Sequence, residues 1–170
     1  MSLIPIQSQV LGASAASVTF SSIPQTYKTL VLKVSARSDD TGALLNDLYM
    51  RFNGDTVDTN YSMRRIYGDG SAAGSDNVSG SNGPLRLSVD GGNQTASTFG
   101  SIEATIPNYA SAVAHVVSVD SCTENNAAAA YSAMLAGLCS TAAAITSIVI
   151  KPYGGTNIVS GSSFYLYGID

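Results

Sequence analysis

The side chains best suited to proton transfer, nucleophilic attack or soft metal ligation are scarce in this chain. There is one histidine, two cysteines and two glutamates among 170 residues. His115 lies in Val113-Ala-His-Val-Val-Ser-Val119. On a strand it shares a face with Val113, Val117 and Val119. A general base needs hydrogen-bond reach to a substrate proton. An apolar strand face predicts instead a histidine hydrogen-bonded at a core edge or at a subunit contact. Cys122 and Cys139 lack CxxC spacing, so nothing supports a structural zinc site. Two cysteines are also too few for a disulfide scaffold. A hairpin of Val113–Cys122 with Ala130–Cys139 puts them at opposite ends, which predicts free thiols that behave as small buried hydrophobes. There is no Gly-x-Ser-x-Gly elbow and no Walker loop.

Carbohydrate-cleaving enzymes use a pair of carboxylates. Glu103 sits between Ile102 and Ala104 in a strand pattern and Glu124 in a turn, and the sequence displays no acidic pair. Most aspartates adjoin Gly or Asn, where Asp stabilises its own turn. Asp55-Thr-Val-Asp58-Thr-Asn60 and Gly68-Asp-Gly70 offer oxygen ligands without the ordered spacing of an EF-hand loop. These residues predict no enzyme, no metal and no cofactor. Nine Tyr, four Phe and no Trp make up the aromatic set. Tyr49, Tyr61 and Tyr67 flank a long Gly/Ser segment. They either form a platform for a partner or fill a sandwich edge with their hydroxyls wet. Tyr61 and Tyr67 are therefore candidate partner-binding residues. Asn60-Tyr-Ser, Asn77-Val-Ser and Asn93-Gln-Thr match the glycosylation triplet, as expected by chance in an Asn/Ser-rich chain.

Hydrophobic residues make up 45% of the chain and charged residues 12%. The charged share is about half the usual quarter. A monomer ordinarily carries more charge for solubility, so this composition suits surfaces buried against neighbours. The net charge is −4 and Arg64-Arg65 is the densest cationic point. Nucleic acid needs clustered cations, so it is not an expected partner. Met1–Ser8 lacks a basic n-region and a long apolar run, which predicts no signal peptide. Ala127–Leu138 is too short and too interrupted to span a bilayer.

Strand signals recur at short spacing, with turn residues between them. They cover Ile6–Leu11, Ser17–Ile23, Tyr27–Arg37, Leu48–Asn53, Tyr61–Tyr67, Pro84–Asp90, Thr98–Ile106, Val113–Cys122 and Tyr131–Cys139. Two C-terminal strands flank the turn Gly154-Gly155-Thr-Asn157. In the last, Phe164, Leu166 and Gly168 alternate with Tyr165, Tyr167 and Ile169. Helical periodicity is absent. The expected fold is a single all-β domain over 1–170, an antiparallel, jelly-roll-like β-sandwich of about ten strands. Gly68–Gly83 reads as a long, contact-dependent loop. Residues 1–9, with Leu3, Ile4 and Ile6 around Pro5, read as a docking arm or as a first edge strand. Leu3, Ile4, Pro5 and Ile6 are on that ground candidate partner-binding residues.

Several of these segments carry a resemblance. Ile106-Pro-Asn-Tyr-Ala110, Gly137-Leu, Ala144-Ile-Thr-Ser-Ile148 and Gly161-Ser-Ser-Phe-Tyr-Leu-Tyr-Gly-Ile169 resemble small β-sandwich virion proteins of tailed bacteriophages. Tyr27–Ser38 fits the same pattern, and Asp69–Gln94 matches nothing in it. The resemblance implies a structural protein on the virion surface. Its first form is a capsid decoration (cement) protein, a homotrimer that binds the major capsid protein outside the shell. The alternative is a tail or fibre protein that recognises host-surface glycan.

Overall fold

The computed structural model describes residues 2–42, 46–79, 85–126 and 130–170. Within them the strands are β1 (Ile4–Val10), β2 (Val18–Phe20), β3 (Thr29–Ala36), β4 (Asn46–Phe52), β5 (Tyr61–Gly68) and β6 (Ala73–Ser79). They continue as β7 (Leu85–Val89), β8 (Gly100–Pro107), β9 (His115–Cys122), β10 (Ser132–Cys139), β11 (Ile148–Pro152) and β12 (Ser163–Ile169). The one described helical element is a 3-10 turn at Asp58–Asn60.

All strand pairs are antiparallel, in one sheet of order β1-β12-β3-β8-β9-β10-β5-β6 and another of order β2-β11-β4-β7. Eight strands form a jelly roll. The pairs β1·β12, β2·β11, β3·β8 and β4·β7 are the rungs of one long antiparallel ribbon. Rolled up, that ribbon makes β1-β12-β3-β8 one sheet and β2-β11-β4-β7 the other. The remaining strands are two inserted hairpins, β5–β6 and β9–β10. Strand β9 adds to β8, β10 adds to β9, and β5 then pairs with β10. The first sheet thereby doubles its width.

Period-2 alternation drives this assembly. β9 (HVVSVDSC) buries His115, Val117, Val119 and Ser121 and exposes the residues between. In β12, Phe164 and Leu166 point inward at full burial. Leu30, Leu32 and Val34 of β3, Leu48, Met50 and Phe52 of β4, and Ile148 and Ile150 of β11 complete the layer between the sheets. Burying each such side chain contributes about 1.5–3 kcal/mol. The Gly154–Asn157 turn is held by Asp39, whose carboxylate accepts from Thr156 N and Oγ1 and from Asn157 N and Nδ2, all at 2.8–2.9 Å. Gly155 supplies the positive φ there, and Asn157 contributes hydrogen bonds.

Three expectations change. The described strands number twelve, not about ten. Gly68–Gly83 is not a loop throughout, because β6 lies inside it and pairs with β5 from Ser62 to Gly68. Asp69 makes that hairpin possible: its Oδ1 accepts from Ser71 N and Ala72 N, and Gly70 follows at positive φ. The stretch 1–9 holds edge strand β1 from Ile4 onward, so of the two readings for it the edge strand is the one observed. Met1, residues 80–83 of the Gly/Ser segment and 127–129 of the β9–β10 connection lie outside the described residues.

Under the inserted hairpins sits a buried ion network. Arg65 Nη1 donates to Asp47 Oδ1 at 2.9 Å and to Ser88 Oγ at 3.2 Å. Its Nη2 donates to Asp76 Oδ2 of β6 at 2.6 Å. Arg86 lies 3.5 Å from the other Asp47 oxygen. Asp76 ties the polar edge strand Ala-Gly-Ser-Asp-Asn-Val-Ser to this network through two bonds from Arg65.

Candidate interaction face

His115 is buried, and its Nε2 lies 2.8 Å from the Ala143 carbonyl. Its Nδ1 has no hydrogen-bond partner among the described residues. The neighbouring cavity, lined also by Asp55, Cys139 and Thr141, measures about 20 Å³. That is room for about one water molecule and none for a substrate. Asp55 is saturated by Val57 N, Asn60 Nδ2 and Thr141 Oγ1. Burial pushes its carboxyl up, and these bonds outweigh that and hold it below the ordinary value. Asp58 is paired with Arg51. Among the described residues no three His, Cys, Asp or Glu gather as a metal group.

The cysteines are free, with Cys139 opposite His115 and Cys122 opposite Ser132 at the other end of the hairpin. Cys139 is buried as expected. Cys122 is exposed, a correction to the reading of two buried thiols. With His115 facing inward, the alternation turns residue 122 outward.

The three tyrosines near the Gly/Ser segment form no common platform. Tyr61 is 1% exposed inside the core, with its hydroxyl accepting from Phe52 N at 3.1 Å. It offers a partner no surface. Tyr67 is half-buried, edge-on to Tyr131 at 6.0 Å between centroids and under the Arg65 guanidinium. Tyr49 lies on β4 in the other sheet, beneath Arg51. At the N-terminus, Leu3 and Pro5 are exposed, Ile4 is half-buried, and Ile6 packs against the core beside a bulge between Pro5 and Gln7.

The register exposes something else: the outer face of the eight-stranded sheet. One row crosses it from edge to edge. Ser8 is opposite Tyr165, Tyr165 opposite Lys33, Lys33 opposite Glu103, and Glu103 opposite Asp120. The row continues through Met134 and Ile66 to Ser75. Lys33 Nζ is 2.7 Å from Glu103, whose hydrogen bond and charge raise the lysine pKa. Lys33, Glu103, Asp120, Cys122, Met134 and Tyr165 border an open concavity of about 620 Å³. No protein-family model, curated protein or solved structure matches the chain. The face itself must carry the argument. Glu103 and Asp120 form a carboxylate pair that the sequence did not reveal, since it arises from register alone. Glu103 is half-exposed and already bonded to Lys33, so neither burial nor a free partner prepares it as an acid catalyst.

On the solvent side of the four-stranded sheet the arginines are already engaged. Arg51 pairs with Asp58 and lies over Tyr49, and Arg86 stacks on Tyr153 at 3.9 Å. The wide face is different. It is poor in charge, with small hydroxyl and methyl groups at many positions, and Ile66 (61% exposed), Val116 (59%) and Met134 (58%) stand open to solvent on the inserted hairpins.

Proposed function

We propose that the chain is a structural, non-catalytic protein of the tailed-phage virion surface. In this reading it is a decoration protein that binds the major capsid protein outside the assembled head, as a homo-oligomer, and stabilises the shell. The observation that carries it is the outer face of the eight-stranded sheet: broad, weakly charged and bearing exposed apolar side chains, as a face covered in an assembly by a neighbouring subunit, of its own kind or of the shell, does. The jelly roll and the resemblance of the C-terminal strands support the virion setting, although a fold by itself assigns no task. Arg65 of the Arg64-Arg65 pair is buried in the ion network. That leaves no cationic patch at this point to track phosphates and supports a reading without nucleic acid. No described helix is long and apolar enough to cross a membrane.

A protein that binds the assembled shell and not its free subunits stabilises the shell by mass action. Heads stripped of this protein should therefore open at lower temperature, and adding it back should restore them. Equal heat resistance of stripped and decorated heads, together with binding of purified protein to host polysaccharide, would replace this reading by the glycan-recognising tail protein.

A further inference from the structure

The inserted hairpins β5–β6 and β9–β10 lie outside the jelly-roll ribbon, yet they carry three of the exposed large apolar side chains of the wide face, Ile66, Val116 and Met134. Ile66 and Met134 are direct neighbours across β5 and β10, and Val116 lies opposite Leu138 across β9 and β10. Two charges flank this stripe. Arg64 projects from β5 and Asp120 from β9, with β10 between them. Arg64 donates to the Met63 carbonyl, and among the described residues neither it nor Asp120 is in an ion pair.

We infer that a second copy of this chain covers this face, stacked sheet on sheet about a two-fold axis that runs along β10. The symmetry follows from where the groups lie. A two-fold along β10 lays Met134, Ala136 and Leu138 on their own counterparts and exchanges β5 with β9. Each Arg64 then stands over β9 of the other copy, one pleat from Asp120, within reach of a long side chain. Such a contact is self-complementary, as a two-fold interface must be. Charge selects the same occupant. Among the outward side chains of β8 to β6, Arg64 offsets Asp120, and Glu103 is neutralised by Lys33 at the rim, in a chain of net charge −4. Two copies therefore meet here without the net repulsion that the rest of their surface supplies. The five strands from β8 to β6, spaced about 4.8 Å and about 25 Å long, offer about 600 Å² per copy. The total of about 1,200 Å² lies at the lower end of specific interfaces. Tyr165 and Lys33 stay at the rim, and the second copy covers the side of the concavity that Met134 and Asp120 border.

The experiment is sedimentation equilibrium on the purified chain over a concentration series, with no shell present. The expected species has twice the 17.4 kDa chain mass. Ile66→Lys and Met134→Lys alter exposed side chains and so leave the fold intact, which circular dichroism checks. Each should weaken the dimer by about tenfold or more, because a charge is buried against the stripe. Arg64→Asp and Asp120→Arg should each weaken it by about threefold or more, and the double exchange should recover the loss. A monomer at every concentration overturns the inference. So does a dimer insensitive to all four changes, or a trimer of any kind. Binding of a monomeric protein to heads would sink this inference alone, and a dimer that fails to bind heads would sink the capsid reading alone.

Discussion

Replacing Asp47 by Leu tests how the inserted hairpins are tied to the core. The Asp47 and Arg65 side chains are 5% and 4% exposed, so the substitution leaves a guanidinium buried with fewer partners. It removes the 2.9 Å bond to Arg65, the bond from Ser88 and the Arg86 contact. Breaking one side of a buried pair costs about 3–5 kcal/mol. Arg65 keeps two bonds to Asp76, so the low end applies, about 3 kcal/mol. At this chain length that is a fall in Tm of about 6–12 °C. Asp76→Ala removes a partner that is 36% exposed, where water replaces the lost bonds, and should cost about 1 kcal/mol. The double variant Asp47→Leu/Arg65→Met removes the stranded charge and should be more stable than Asp47→Leu alone. Urea unfolding near neutral pH measures all three and the single Arg65→Met. A cost for Asp47→Leu below about 1 kcal/mol, or a double variant as unstable as the summed singles, would refute the claim that desolvated charge dominates this site.

Other consequences are open to direct measurement. Burial pushes the Asp39 carboxyl up, but its bonds from Asn157 and Thr156 win and bring the pKa from 3.8 down to about 2. Its stabilising contribution is thus complete above the unfolded value of 3.8 and is lost as pH falls toward 2. Urea midpoints measured down to about pH 2 should fall less steeply for Asp39→Asn than for the native chain. A Cβ at Gly168 would run into the ring of Tyr27, so Gly168→Ala should cost about 1–3 kcal/mol in thermal unfolding. Cys122 should react with a thiol reagent in the folded protein and Cys139 only after unfolding. Equal native reactivity would place Cys139 at the surface, against its burial here.

Strands whose apolar residues alternate were legible in the sequence. β3, β8, β9, β10 and β12 fall within a few residues of their expected bounds because one face of each meets the core. β6 was illegible for the opposite reason. Its backbone ladder and one inward aspartate hold it, and neither leaves an apolar period. The local signal that existed was Asp69-Gly70, a hairpin dipeptide. Tyr61 misled because a tyrosine in an alternating strand reads the same whether its hydroxyl meets water or a buried backbone amide. The interaction face needs register: Asp120 and Met134 are neighbours within the β9–β10 hairpin, but Arg64 and Ile66 join them only after β5 has found β10. The two-sheet order, and with it the jelly roll, likewise rests on pairings across most of the chain.

The pairing of β1 with β12 also has a bearing on synthesis. Ile4 meets Gly168 and Val10 meets Ser163, and β2 waits for β11 in the same way. A ribosome emits residues at about 5–20 per second. For several seconds the first strands therefore exist without the partners that complete their sheets. In the finished fold Gln7 and Gln9 donate to the Ser21 and Thr19 carbonyls and tie β1 to β2. The closing of both sheets nevertheless falls after nearly all of the chain has been made, and such non-local strand pairing is intrinsically slow. Nascent chains caught midway through translation should therefore be cut readily by protease, and resistance should appear abruptly once β12 has left the exit tunnel.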